Sequence, residues 1–123
     1  MSHFTRVRTQ LHHLDTVRRA LEDLGYTVGK GDVRGFGDQH VVADLVVRVD
    51  GSHDIGFRQT RGSVEMVADF WEMNINQQEF LQKVTQRYAH LTVLDQAAKQ
   101  GFAVVAEETL EDGSVRLVMQ RWS

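Results

Sequence analysis

Apolar residues in the first quarter of the chain recur at the spacing of an α-helix. Four of them lie three or four positions apart and predict a short amphipathic helix: Leu14, Val17, Leu21 and Leu24. Gly25 follows at the position where glycine commonly ends a helix. The segments on either side, residues 2–11 and 26–28, are predicted to be strands.

From residue 40 the apolar period changes to two, which is the period of a β-strand. One strand is predicted to place five residues on a continuous face: Val41, Ala43, Leu45, Val47 and Val49. Asp50-Gly51 then suits a hairpin turn, because both residue types tolerate positive φ. Three further features complete an antiparallel meander: a strand with Ile55 and Phe57 inward, a turn at Thr60-Arg61-Gly62, and a strand from Val64 to near Trp71.

A second helical region is predicted to begin at Asn76, because Glu79 completes a capping box with it. Its apolar face is broad: Phe80, Leu81, Val84, Tyr88, Leu91 and Leu94. An unbroken helix as far as Gln100 would be about 36 Å long, which is as long as a domain of this size is wide. We therefore expect a break, with Thr92 and Asp95 as the cap of a third helix.

The last part of the chain is predicted to be a hairpin, with Gly101 ending the helical region and Asp112-Gly113 at the turn. The elements together predict an α+β fold, with a single domain over residues 1–123 and a mostly antiparallel sheet. Two or three helices are expected to pack on one face of that sheet. The segments LEDLGYTV and AAKQGFAVV are alike, and both a duplicated helix–strand unit and a chance similarity stay open.

The composition changes this picture mainly by exclusion. A chain of 123 residues that is 41% hydrophobic and 25% charged fits one globular domain. It shows neither an apolar run near the roughly 18 residues that cross a bilayer nor a secretory signal, so we expect a cytoplasmic protein without a membrane partner. The absence of cysteine excludes disulfides, thiolate nucleophiles, zinc–cysteine sites and cysteine-ligated iron–sulfur clusters.

The stretch GKGDVRGFGDQ, residues 29–39, is rich in both glycine and charge. A phosphate-binding loop is disfavoured, because these glycines lead into a strand rather than a helix, and Gly31 rather than Ser or Thr follows Lys30. A solvated connection between strands is favoured. The functional alternative is a partner-binding loop with Arg34 and Phe36 as anchors, and the fold is not expected to require either side chain.

No motif for catalysis or metal binding stands out. None of the six histidines pairs with another at the helical spacing of metal ligands, so neither a metal nor another cofactor is expected. His53-Asp54 is interpreted as a solvated turn, with contact to a metal or substrate as the alternative. A small-molecule enzyme is the third hypothesis, with a site around four residues: Arg34, Asp54, Arg58 and Asp69.

Nucleic acid is the alternative ligand class. Five arginines could align on one sheet face: Arg48, Arg58, Arg61, Arg116 and Arg121. Phe57 or Trp122 would then stack on a base. Four acids are interleaved on the same strands and would neutralise the face by cross-strand pairing: Asp44, Asp54, Glu65 and Asp69. Because the net charge is −3, this function ranks second.

Four segments carry a resemblance to a known family: MSHFTRVRTQL, DVRGFGDQHVVADLVVRVDGSHDIGF, VADFW and GFAVVAEETLEDGSVRLVMQRW. They resemble the hypothetical chloroplast reading frame family, number thirty-five, which occurs in algal plastid genomes and cyanobacteria and is a domain of unknown function. The resemblance implies a cytoplasmic protein, stromal in plastid relatives, and brings no catalytic residues. Related genes often lie near an AAA-type ATPase, which implies an accessory or regulatory role. The family usually has Trp where this chain has Phe57.

We therefore expect a non-enzymatic protein-interaction module. Residues 29–40 and the adjoining sheet surface are predicted to hold an unknown protein partner, with an AAA-type ATPase as a candidate. The predicted partner-binding residues are Arg34, Phe36, Asp54 and Arg58.

Overall fold

The computed structural model describes residues 4–35, 40–49, 53–70 and 75–121. The elements run in the order β1 (Phe4–Arg8), α1 (Leu14–Asp23), β2 (Val28–Arg34), β3 (His40–Arg48), β4 (Asp54–Gln59), β5 (Val64–Asp69), α2 (Gln77–Lys99), β6 (Phe102–Thr109) and β7 (Val115–Arg121). Every strand pair is antiparallel. The predicted α+β class with an antiparallel sheet is confirmed.

The chain divides into two compact units, residues 1–88 and residues 89–123. The prediction that the whole chain forms one domain stays a prediction. In the first unit five strands form a sheet in the order β1-β5-β4-β3-β2. The predicted meander is its main part, and β1 adds to it beside β5.

Helices of the first unit cover one face of this sheet. α1 contacts β2, β3 and β4, and its inward side is fully buried: Val17, Ala20 and Leu21. At the start of α2, the Phe80 ring stacks on Phe57 with the ring centroids 6.4 Å apart. Phe57 and Ile55 have no exposed surface, so their predicted inward orientation is confirmed.

The opposite face carries a second apolar cluster, made of Val33, Ala43 and Val67 and bordered by Phe4, Val41 and Val46. It exists because β3 carries one extra residue where its register against β2 shifts, and a β-bulge of this kind reverses the side-chain alternation. Leu45 pairs with Phe57 on the helix-covered face. Ala43 instead faces Gly56 from the other side, where a Cβ on Gly56 would lie 2.8 Å from the Ala43 Cβ. The prediction of one continuous face from Val41 to Val49 is therefore wrong.

Half of the glycine-rich stretch is strand rather than connection. β2 includes residues 29–34, so the prediction of a solvated connection is wrong for them. Gly31 has a φ of +114°, which side-chain-bearing residues rarely adopt, and it lies at the register shift. The β2–β3 hairpin bends there over the second face of the sheet, and β2 thereby contacts β4 and β5. Residues 36–39 lie outside the described residues.

α2 is one continuous helix from Gln77 to Lys99, so the predicted break near Thr92 is wrong. The predicted cap is confirmed, because the Glu79 N–H donates to the Asn76 side-chain oxygen at 3.0 Å. The break was expected because the helix had to fit within one domain. Its residues instead belong to both units, 77–88 to the first and 89–99 to the second.

The second unit contains the end of α2 and the predicted β6–β7 hairpin, which is confirmed. At the turn, the Ser114 N–H and hydroxyl both donate to Asp112 Oδ1, at 3.0 and 2.6 Å. Gly113 adopts a φ of +87°, as the turn requires. The pairing shifts between Val104 and Ala106, which leaves an extra residue on β6 and makes it a bulged strand.

Candidate functional site

An ion pair with a buried carboxylate joins the end of β2 to the start of β4. Asp54 is 3% exposed. Its Oδ2 accepts hydrogen bonds from the backbone N–H and the Nε of Arg34, both at 2.9 Å, and its Oδ1 accepts one from Arg34 Nη2 at 3.0 Å. The Nε of Arg48 lies 3.7 Å from the same Oδ1. This bidentate geometry is the strongest form of the Arg–carboxylate pair.

The ionisation of Asp54 follows from these contacts. Burial alone raises the pKa of the carboxyl, because the charged form is disfavoured away from water. The hydrogen bonds from Arg34 and the positive charges of Arg34 and Arg48 outweigh burial and bring the pKa below its ordinary value of 3.8. Asp54 is therefore a carboxylate at neutral pH, suited to holding a cation rather than to donating a proton.

Asp69 is a second buried carboxyl beside this pair, with no exposed surface. It lies at the end of β5 and pairs across the sheet with Phe4. A Cβ on Gly35 would lie 2.8 Å from Phe4 Cζ and 3.1 Å from Asp69 Oδ2. The backbone that follows Arg34 thus passes directly over both side chains, which requires glycine at this position.

The structure brings together two of the four predicted partner-binding residues. Arg58 binds elsewhere, with its Nη2 3.2 Å from Glu65 Oε1, and Phe36 lies outside the described residues. The ion pair with the buried carboxylate of Asp54 argues against the expectation that the fold does not require Arg34. Partner binding by these four residues stays a prediction.

Two other interpretations of this region need correction. His53-Asp54 is not a solvated turn, because His53 is buried and Asp54 begins β4.

Phe57 is fully buried and cannot stack on a base, while Trp122 lies outside the described residues. The arginines predicted to share one face belong to two different sheets: Arg48 and Arg58 to the first, Arg116 and Arg121 to the second. The expected neutralisation of sheet arginines by acids is confirmed at Arg58.

Within the described ranges, no three His, Asp or Glu side chains come together in a group that could hold a metal ion. His90 Nε2 lies 3.7 Å from Glu107 Oε1 in the second unit, and no third His, Asp or Glu of the described residues joins this pair in a metal-binding group. No helix in the described part of the chain is long and apolar enough to cross a membrane.

The second unit carries an apolar cleft between the end of α2 and the hairpin, with a volume of about 340 Å³. Its lining comes from both elements: Thr92, Val93, Gln96, Ala97, Gln100, Phe102 and Met119. Val93 is 44% exposed, and the Arg121 guanidinium lies 5.0 Å from the centroid of the Phe102 ring. A cleft with mostly apolar walls and few polar groups suits an apolar side chain or ligand group.

Further apolar side chains are exposed on the hairpin itself, and sequence reasoning missed them: Val105, Leu110, Val115 and Val118. The signal was present, since β6 contains Val104-Val105 and β7 contains Leu117-Val118-Met119. Consecutive apolar residues in a strand point to opposite faces, so both faces of this hairpin are partly apolar.

Comparison with known proteins gives one family. The sequence profile of a family described as a protein of unknown function, DUF1257, matches residues 20–118. Three similar proteins are each named uncharacterized protein ycf35. The one from Guillardia theta is 37% identical over 99% of this chain and 98% of its own length. Those from Pyropia yezoensis and Cyanophora paradoxa are 34% and 32% identical, over 100% and 99% of this chain and 99% and 98% of their own lengths. No solved structure matches the chain significantly.

Proposed function

The chain belongs to the DUF1257 family of proteins of unknown function, and we propose that it is a non-enzymatic accessory protein that holds a protein partner. The membership confirms the resemblance to the chloroplast reading frame family, and it brings no reaction with it. The proposal therefore rests on the surfaces of the chain itself. The observation that carries it is the apolar cleft between α2 and the hairpin in the second unit.

The cleft suits protein side chains in both shape and chemistry. Phe102 supplies a ring, and Met119 supplies a flexible thioether that adapts to differently shaped apolar groups. Val93 is 44% exposed, so a partner that covers it removes apolar surface from water. Burying a partly exposed valine contributes about 1 kcal/mol, and several such contacts give a specific interface its central energy.

The surface around Arg34 and Arg58 supports the proposal less well. Both guanidinium groups already bind carboxylates, Asp54 and Glu65 respectively. A partner that recruited either arginine would have to break an existing ion pair, which offsets much of the gain. The lining of the cleft in the second unit contains no charged side chain, and we place the partner there.

The first partner to test is the AAA-type ATPase that the gene neighbourhood of related proteins implies. A regulatory subunit without chemistry of its own would act by binding such an enzyme. The experiment measures binding between the two purified proteins by biolayer interferometry. Val93→Asp places a charge at the cleft and should weaken binding by about tenfold or more, because a desolvated charge without a partner is costly.

Val42→Asp is the matched control, because Val42 is an exposed valine on β3 in the first unit. It should bind like the wild type. Thermal melts of both variants establish that each is folded. Equal binding by the wild type and Val93→Asp would remove the cleft as the interface, and no binding by the wild type would remove the ATPase as the partner.

A further inference from the structure

The β6–β7 hairpin is a two-stranded sheet among the described residues, and a sheet of two strands is marginally stable in water. Its residues are exposed or half-buried along both strands. Within the described part of the chain each strand pairs only with the other, so each presents an outer edge of backbone N–H and C=O groups. What occupies these edges is a separate question from the partner of the cleft.

The two edges differ in how well they are protected against pairing. β6 carries the bulge between Val104 and Ala106, and a bulge interrupts the regular spacing that a further strand needs. The extra residue lies on β6, so the seven residues of β7 follow one another without an insertion. β7 contains neither proline nor lysine, and its two charged residues, Arg116 and Arg121, lie toward its ends. Its three central residues are uncharged: Leu117, Val118 and Met119. β7 is therefore the edge open to another strand.

We infer that the β7 edge pairs with β7 of a second copy of this chain, antiparallel and related by a two-fold axis at Val118. Val118 is the central residue of the seven in β7, so this register overlaps the whole strand. The result is a four-stranded sheet with a self-complementary interface, the usual form of a two-fold dimer. The inference does not depend on the partner proposed for the cleft.

The side chains of β7 match this register. Val118 would lie opposite Val118 of the other copy, and Leu117 opposite Met119. The charged positions also agree, since Arg116 would lie opposite Gln120 and Arg121 opposite Val115. Parallel pairing in register would instead place each arginine against itself, and like charges directly opposite each other are destabilising. The charge pattern thus selects the antiparallel arrangement.

The natural chain has no cysteine, so a single introduced cysteine reports its own contacts. Directly opposed residues in an antiparallel pair have Cα atoms about 4.5–5.5 Å apart, within the range that a disulfide spans. Val118→Cys should therefore form a disulfide-linked dimer under mild oxidation. Val105→Cys is the matched control, since Val105 is an exposed valine on the other strand of the hairpin, and it should stay monomeric on a non-reducing gel.

A mixed reaction tests the register. Arg116→Cys and Gln120→Cys should each crosslink poorly alone, because the identical positions of the two copies are four residues apart along the strands, about 13 Å. A mixture of the two variants should crosslink. Crosslinking of each variant with itself to the same extent as in the mixture would overturn the proposed register.

Light scattering after gel filtration tests for the dimer without a crosslinking reaction. The wild type should have the mass of two chains. Val118→Lys should have the mass of one, because it opposes two lysines at the centre of the edge, while Val105→Lys should keep the dimer. Circular dichroism confirms that both variants are folded. A monomeric wild type, or a Val118→Lys variant that is folded and still dimeric, would overturn the inference.

Discussion

A single guanidinium group holds the end of β2 against β4, because Arg34 donates to both carboxylate oxygens of Asp54. The backbone N–H of the same residue donates a third hydrogen bond to that carboxyl. Without the side chain, a carboxylate that is 3% exposed would keep its charge and lose its main partner. The consequences of removing Arg34 should therefore exceed those of an ordinary surface change.

Arg34→Ala is expected to lower the free energy of unfolding by about 3 kcal/mol, the lower end of the range for breaking a buried ion pair. The lower end applies because the Arg34 side chain is 39% exposed and water replaces part of what is lost. Urea denaturation at neutral pH measures the change. Arg61→Ala is the control, since Arg61 is exposed in the β4–β5 turn, and it should stay within about 0.5 kcal/mol.

Urea denaturation repeated at several pH values separates the electrostatic contribution of Arg34 to stability from its packing contribution. Asp54 has a folded-state pKa below 3.8, so its stabilising contribution is present above about pH 4 and is lost as the pH falls through the lowered value. The difference between wild type and Arg34→Ala should shrink over that acidic window. A difference that stays constant with pH would mean that Arg34 stabilises the fold through packing alone.

Arg34 and Asp54 were both candidate site residues from the sequence, but the sequence did not show that they form an ion pair. They are 20 positions apart, and nothing in the local pattern around either residue pairs them. Their meeting depends on where the β2–β3 hairpin bends, and the bend depends on one extra residue in β3. A period of two remains visible in the sequence across such a bulge, so the change of face is hidden.

The bend of the β2–β3 hairpin places this element against β4 and restricts the size of the β4 residue at the contact. The folded-over hairpin lies directly on Gly56, the residue of β4 that pairs with Val46 and Val67. A Cβ there would overlap Val33 Cγ2 and lie 2.8 Å from the Ala43 Cβ. Gly56 therefore marks the contact between the hairpin and the sheet.

Gly56→Ala is expected to destabilise the protein by about 1–3 kcal/mol, the usual effect of overpacking. Gly29→Ala is the matched control, because an added Cβ at Gly29 meets no atom within 4 Å. It should change stability by about 0.5 kcal/mol or less. Thermal melts of the two variants provide the comparison. If Gly56→Ala has the same melting temperature as Gly29→Ala, the hairpin does not pack closely against β4 in solution.

The remaining elements were predictable to the extent that local signals decide them. Gly25 and Gly101 both adopt the positive φ expected of glycines that end helices, and both helix ends were placed correctly from sequence. The continuity of α2 was not, since the pattern at Thr92 and Asp95 suits a cap, whereas the helix runs through it from Gln77 to Lys99.

At the scale of the whole molecule, charge is balanced locally as well as in total. The net charge is −3, with 14 basic and 17 acidic side chains. Several arginines of the five-stranded sheet are engaged by acids: Arg34 by Asp54, and both Arg6 and Arg58 by the Glu65 carboxylate. A ligand with many negative charges would have to displace these acids before it could use the arginines.

Binding to nucleic acid should therefore be no tighter than the non-specific range, with a dissociation constant of about 10⁻⁴ to 10⁻⁶ M near physiological salt. Fluorescence anisotropy with single-stranded DNA and RNA at two salt concentrations measures it. Arg58→Ala should leave the weak affinity unchanged, because Arg58 is occupied by Glu65. Glu65→Gln is the informative partner variant: it removes the competing charge from Arg6 and Arg58 and should raise the affinity slightly. Submicromolar binding by the wild type that Arg58→Ala weakens would instead show that the sheet arginines face a nucleic acid and that their ion pairs open to admit it.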